Sequence, residues 1–333
     1  MTGRAAGAAA SPGTPRRPGA GRQLLRDQPL IPLSVLLVLL IVVLEIAKPG
    51  IVNGGWLATT LRAAIPLAIL AACQTIAMLT GGIDLSVGAV ASMSAFLMAT
   101  LTTGQGPVVA IAVAVVAAVV AGILNGVGIG IFKVHPLIMT LGMSLVILGL
   151  MSVYQLLMVQ SGTLIPAPIQ WLGSGISFGF VPNNLLVFVP VALVIFVGLR
   201  RTGFGRLLFA VGDNPVAARL AGARVWQVLV ALYVLSGVLA AIAGILVAGL
   251  ANTATVSLVE QSVLPSVAAA VIGGTSIMGG RGGYGGTILG ALILTVVTTL
   301  LTVLEMPEAV RQVVFGAVIV GVAAAYTRVT GEG

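Results

Sequence analysis

Eight carboxylates, one histidine and one cysteine are nearly all that this chain of 333 residues offers to bond-making chemistry. His135 has no second histidine and no nearby cysteine, and a structural or catalytic zinc site needs such partners. Cys73 is the single cysteine, so no intrachain disulfide can form, and within its apolar run it reads as a small packing residue. No Ser/His/Asp arrangement and no paired carboxylates are spaced for nucleophilic or acid–base catalysis. Gly273-Gly274 and the glycines from Gly279 to Gly286 surround Arg281 and Tyr284. A phosphate-binding loop would end in Gly-Lys-Ser/Thr after a soluble strand, and neither feature is present. The sequence therefore predicts no enzyme chemistry and no cofactor held by this chain.

The polar residues of interest are those placed where polarity is costly. Asp84 is the only acid between Glu45 and Asp213. A carboxylate near hydrocarbon must face a partner, a cavity or a broken helix end. Gly81-Gly82 supplies the break, and Leu85 onward can restart a helix with Asp84 at its cap. Capping, a place along a solute pathway and a part in gating all fit, because broken helices mark transport sites. Gln74 and Asn125 are uncharged polar groups inside apolar runs, suited to interhelical hydrogen bonds or to pathway contact. Glu260, with Gln261, precedes the eighth apolar run, where it reads as a solvated outer-loop residue, a vestibule lining or a contact for an outside partner.

The elements that must hold these residues follow from composition. Hydrophobic residues make up 59% of the chain and charged residues 7%, with a mean hydropathy of +1.18. A soluble domain carries roughly 25% charged residues, so a water-facing surface is excluded. Glycine, at 44 residues, suits close helix packing in lipid and interrupted helices. The expectation is an all-α, polytopic bundle of about ten transmembrane helices, some broken at glycines. The runs lie at about 30–47, 57–79, 87–103, 107–131, 136–158, 183–199, 226–250, 264–279, 285–304 and 309–327.

Residues 1–29 read as a disordered, Arg-rich tail, 30–327 as the membrane domain and 328–333 as a short end. The first run ends in Lys48-Pro49-Gly50 without a small-x-small site, which favours an uncleaved helix over a signal peptide. With the amino terminus inside, thirteen basic residues fall on the inner side, leaving Lys48, Arg62 and Arg311 outside. That bias predicts both termini cytoplasmic. The net charge of +8 is thereby an orientation signal at the lipid surface, and nucleic-acid binding is not expected. The uncharged connection 159–182 should lie along the outer interface with Trp171 as an anchor.

The inner loop, roughly 200–225, carries five arginines and Asp213. Asp213 or Asn214 can cap a short helix with Pro215 at its first position, and Gly222 can end it. Such a helix is either a docking element or a lipid-facing part of a positive loop. The stretch Arg201 to Gly222 resembles the cytoplasmic coupling loop of the ribose-type permeases of ATP-binding-cassette (ABC) importers. Gly81-Gly82-Ile83-Asp84-Leu85-Ser86-Val87-Gly88 resembles the signature of the same family. Asn125-Gly126 with Lys133 to Gly142 resembles its middle block, and Ala268 to Leu294 its carboxy-terminal block.

The resemblance implies one transmembrane half of a dimeric pore in the bacterial plasma membrane, for a monosaccharide or similar polyol. Its implied partners are ABC ATPase subunits that bind ATP and magnesium, an extracytoplasmic sugar-binding protein, and a second permease subunit, identical or not. Asn214, Pro215, Ala217, Ala218, Arg219 and Gly222 would make the ATPase contact. Gln74, Asp84, Asn125 and Glu260 are the pathway candidates. The alternatives are a stand-alone secondary transporter, for which titratable groups within the runs are sparse, a branched-chain amino acid ABC permease, and a membrane protein without transport. Val263-Leu264-Pro265-Ser266 stands where many ribose-type members carry acids, so the resemblance does not single out ribose.

Overall fold

The computed structural model describes residues 30–158 and 163–307 continuously, with scattered positions from 309 to 321. The expectations for 1–29 and 328–333 fall outside the described residues. Apart from one two-residue hairpin, Ile176–Ser177 (β1) with Val181–Pro182 (β2), the regular structure described is helical.

Among the described residues, twelve helices carry the fold: α1 Leu30–Ala47, α2 Gly54–Met78, α3 Val87–Gln105, α4 Pro107–Gly130, α5 Pro136–Met158, α6 Ala167–Ser174, α7 Leu185–Arg201, α8 Gly203–Asp213, α9 Pro215–Leu220, α10 Val225–Ala251, α11 Val263–Ile272 and α12 Tyr284–Val303. A 3-10 turn, Glu260–Ser262, precedes α11. Among the described residues, seven helices are long and apolar enough to cross a membrane, and the bent pair α7–α8 raises the number to eight. The all-α, multi-span class is as expected, with seven or eight spans among the described residues in place of about ten, and the run at 264–279 is not one crossing. It is a ten-residue helix followed by a glycine-rich turn, because Gly273, Gly274 and Gly279 to Gly283 end the helix early. Hydropathy averaged over a window does not register such a break. The run at 309–327 lies largely outside the described residues.

The core is α10 packed between α3 and α4, with α2 alongside. Glycine permits this closeness: a Cβ at Gly244 would lie 2.0 Å from the Ala91 carbonyl oxygen, and one at Gly237 would lie 2.4 Å from that of Ala118. Backbone contact of this kind is how helices gain dispersion energy in lipid, where no hydrophobic drive joins them. By contrast, α1 is apolar all round and buries only Leu44, as a lipid-facing helix should. The uncharged connection after α5 holds α6 and the hairpin, and Trp171 is exposed. Arg62 is tucked in: its guanidinium donates to the Ser174 carbonyl, and its own carbonyl accepts from Asn184 Nδ2 at 2.9 Å. This joins the starts of α2 and α7 to the end of α6.

The turns bearing Lys133, Arg224 and Arg281, with Arg206 of α8 and Arg219 of α9, gather at one end of the bundle. There the close of α8 meets the end of α2 and the turn after α11: a Cβ at Gly212 would lie 1.8 Å from the Leu79 carbonyl oxygen and 2.7 Å from the Gly280 nitrogen. The Gly280 N–H also donates to the Leu79 carbonyl at 3.0 Å.

Candidate functional site

After Met78 the chain turns through Leu79–Gly81 and re-enters the bundle without helix until Val87. Gly81, at a φ of +77°, makes the turn that an L side chain rarely adopts. Non-helical backbone at this depth needs polar partners, and side chains from four helices supply them. Gln74 of α2 pairs with the main chain of Asp84 in both directions, Nε2 donating to the carbonyl at 2.8 Å and Oε1 accepting from the N–H at 3.3 Å. Thr140 of α5 accepts from the Leu85 N–H at 3.0 Å. Asp84 Oδ1 accepts from the Ser86 N–H and hydroxyl at 3.0 and 2.6 Å, and Oδ2 accepts from Ser236 of α10 at 2.7 Å. Asn125 of α4 donates to Ser86 Oγ at 2.8 Å. All six side chains are buried.

Asp84 is therefore the hub of the break and not the cap of the next helix. The residue at the cap of α3 is Ser86, and its side chain makes no cap bond. The carboxylate instead closes a turn with Ser86, two residues on. Beside Asp84, Asn125 Oδ1 and Tyr233 Oη have no partner among the described residues. Both line a narrow crevice with Asp84, Ser86 and Gly237. The structure thus brings together Gln74, Asp84 and Asn125, and adds Ser86, Thr140, Ser236 and Tyr233, which sequence reasoning left out. Ser86 lay within the family signature and Thr140 within the middle block. Ser236 sits in an apolar run where a serine looks like any small packing residue.

Glu260 stands apart from this network and is not a solvated outer-loop residue. Its Cα would lie 3.3 Å from a Cβ on Gly88, in the first turn of α3. It is half-buried, and its Oε1 has no partner among the described residues.

At the Arg-rich end, α9 forms as expected. Asn214 Oδ1 accepts from the N–H groups of Val216 and Ala217 at 3.0 and 2.9 Å, with Pro215 at the first position. Gly222, at a φ of +91°, ends the helix while the Ala223 N–H returns to the Ala218 carbonyl at 3.0 Å. Ala218 is buried and seats α9, so it is not at the surface with Pro215, Ala217, Arg219 and Gly222. Two apolar side chains the sequence analysis passed over, Val216 and Leu220, are 60% and 85% exposed one turn apart. Beside them a groove of about 750 Å³ opens between α8, α9 and α10, lined by Phe204, Leu207, Ala221, Gln227 and Val228 among others.

Residues 56–323 match the family model described as a branched-chain amino acid transport system / permease component. The chain belongs to this permease family. Within it, several curated relatives are named as sugar permeases. The chain is 37% identical over 284 residues to the ribose import permease of Bacillus subtilis (strain 168), covering 85% of this chain and 88% of the relative. It is 33% identical to the fructose import permease of Rhizobium meliloti, covering 78% and 75%. With the galactofuranose transporter permease of Escherichia coli (strain K12) it shares 34% identity, over 78% and 76%. It is a ribose-type sugar ABC permease, a multi-pass membrane protein of a family whose members work with an ATPase and a binding protein.

Proposed function

We propose that this permease is the pathway subunit of an ATP-driven importer, fed by a binding protein, for a monosaccharide or similar polyol. The names of its relatives support the substrate class, since ribose, fructose and galactofuranose are neutral polyhydroxylated solutes. The drive is carried by one observation, the backbone contact of Gly212 with Leu79 and Gly280. Gly212 lies three residues before α9, so a displacement of α9 bears directly on both broken segments.

In this reading the Arg-rich end faces the cytoplasm of a bacterium, with both termini inside. Two partner ATPases hold ATP and magnesium, and hydrolysis belongs to them. Pro215, Ala217, Arg219 and Gly222 meet an ATPase cleft, joined by Val216 and Leu220, while Asn214 and Ala218 shape and seat the helix. Arg219 pairs with an ATPase carboxylate. Gln74, Asp84 and Asn125 brace the break beside the pathway, and a second permease subunit completes the pore.

The test is reconstitution with the ATPase in vesicles, adding the binding protein and a panel of sugars. Uptake of one sugar that needs ATP and the binding protein is the expected result. Uptake driven by an ion gradient through this chain alone would overturn the reading in favour of a secondary transporter.

A further inference from the structure

The groove between α8, α9 and α10 has two long walls. Phe204, Leu207 and Ala210 recur along one face of α8, and Gln227, Val228 and Ala231 recur along one face of α10. Ala218 and Ala221 close the third side. Apart from Arg224 and Gln227, every residue that lines the groove is apolar or glycine, and none is an acid. Val216 and Leu220, the exposed apolar pair on α9, do not line it, since they lie on the side of that helix opposite Ala218 and Ala221. The groove is thus separate from the docking face proposed above.

Its depth follows from α10. That helix has 27 residues, about 40 Å, which matches a bilayer of about 40–45 Å counted with its headgroups. Arg224, at the cap of α10, therefore stands at the outer edge of the headgroup layer. Ala231, seven residues on, lies about 10 Å deeper, beyond a headgroup layer of about 5–8 Å and within hydrocarbon. Trp226, 45% exposed beside Arg224, is the aromatic side chain expected at such a boundary. A second guanidinium joins the shallow end: Arg206 Nη2 would lie 3.8 Å from a Cβ on Gly203, which lines the groove. Among the described residues, neither Arg206 nor Arg224 has a hydrogen-bond or ion-pair partner for its side chain.

We propose that the groove holds an acyl chain of an anionic phospholipid from the leaflet at the Arg-rich end, with its phosphate between Arg206 and Arg224. A soluble partner reaches no deeper than the headgroups, whereas this groove continues from two free cations into hydrocarbon. A phospholipid carries both matching parts. Guanidinium groups give phosphate oxygens charge-assisted hydrogen bonds, and basic pockets between membrane helices take anionic headgroups. The acyl chain gains little by leaving one hydrocarbon surface for another, so the headgroup charge sets the preference. Seated there, the lipid braces α8 against α10 and fixes the position of α9 between them. The site rests on the placement of α10 in the membrane and not on the import reading.

The experiment is native mass spectrometry of the full-length permease, alone and assembled with its ATPase, after reconstitution in equal parts phosphatidylglycerol and phosphatidylcholine. Each basic residue near an anionic headgroup is worth a factor of about five, so the parent should retain phosphatidylglycerol over phosphatidylcholine by about tenfold or more. Arg224→Gln should reduce that preference about fivefold. Ala231→Phe fills the deep end, leaves both arginines in place and should also lose the preference. Val120→Phe, on the lipid-facing side of α4, should keep it. If Ala231→Phe lowers the melting temperature, the pair Arg206→Gln and Arg224→Gln, both exposed, carries the test in its place. A parent that retains the two lipids equally overturns the proposal. So does a preference that survives both the filled groove and the loss of both arginines. Release of the bound phosphatidylglycerol when the ATPase assembles would assign the groove to the ATPase and overturn it as well.

Discussion

Asp84 accepts three hydrogen bonds with two oxygens, from Ser86 twice and Ser236 once. Removing that acceptor leaves buried donors unpaired, at about 1–3 kcal/mol each. Asp84→Ala is therefore expected to lower the melting temperature of the purified permease sharply, read by scanning fluorimetry in detergent. Asp84→Asn keeps an oxygen for Ser86, and the Ser236 hydroxyl can turn to accept from the amide, so this variant should melt close to the parent. Equal losses for the two would show that charge, not hydrogen bonding, holds the break. Gln74→Leu keeps the bulk but orphans the Asp84 main chain, an expected cost of about 2 kcal/mol or more by the same assay. The need for a device around Asp84 was legible in the sequence, because a lone acid after Gly-Gly in an apolar chain demands one. Its makers were only half legible. Gln74 and Asn125 stood out, whereas Ser236 and Thr140 are ordinary in membrane helices until their partner is seen.

At the scale of elements, α9 was readable to the residue, since Asn214, Pro215 and Gly222 each have a fixed place in a short capped helix. What the sequence could not convey is the structure on either side. The loop before α9 is itself helical, bent 66° from α7, and Gly212 sits against main chain. Gly212→Ala places a methyl group 1.8 Å from the Leu79 oxygen, so backbone must move. The expected outcome is an assembled complex whose ATPase no longer responds to the sugar-loaded binding protein; a normal response would show that this contact transmits nothing. Gly222 has open space around it but a left-handed backbone. Gly222→Ala should thus act through strain of about 1–3 kcal/mol alone, weakening coupling without a clash, with Gly222→Asn milder. Arg219→Ala should reduce co-purification of the ATPase, and unchanged recovery would remove its ion pair. The eighth apolar run was the element misread: its glycines were legible, but it was counted as a crossing although its helix is only ten residues long. A short helix and a glycine turn have the same mean hydropathy as one continuous span.

For the whole molecule, the sequence gives orientation through its basic residues more directly than the fold does. Thirteen positive groups against three predict that Lys133 and Gly106, at opposite ends of α4, lie on opposite sides of the membrane. In right-side-out vesicles, Gly106→Cys should react with an impermeant reagent and Lys133→Cys only after permeabilisation. The reverse pattern would invert the topology.

The contact joining Gly212, Leu79 and Gly280 is made almost wholly of main chain, and this separates two properties of the molecule. A junction of peptide groups is blind to the side chains a few residues away. The residues that face a solute can diverge while the transmission stays the same. A chimaera carrying the solute-facing side chains of a fructose permease in this scaffold should then change its cargo and keep its engine.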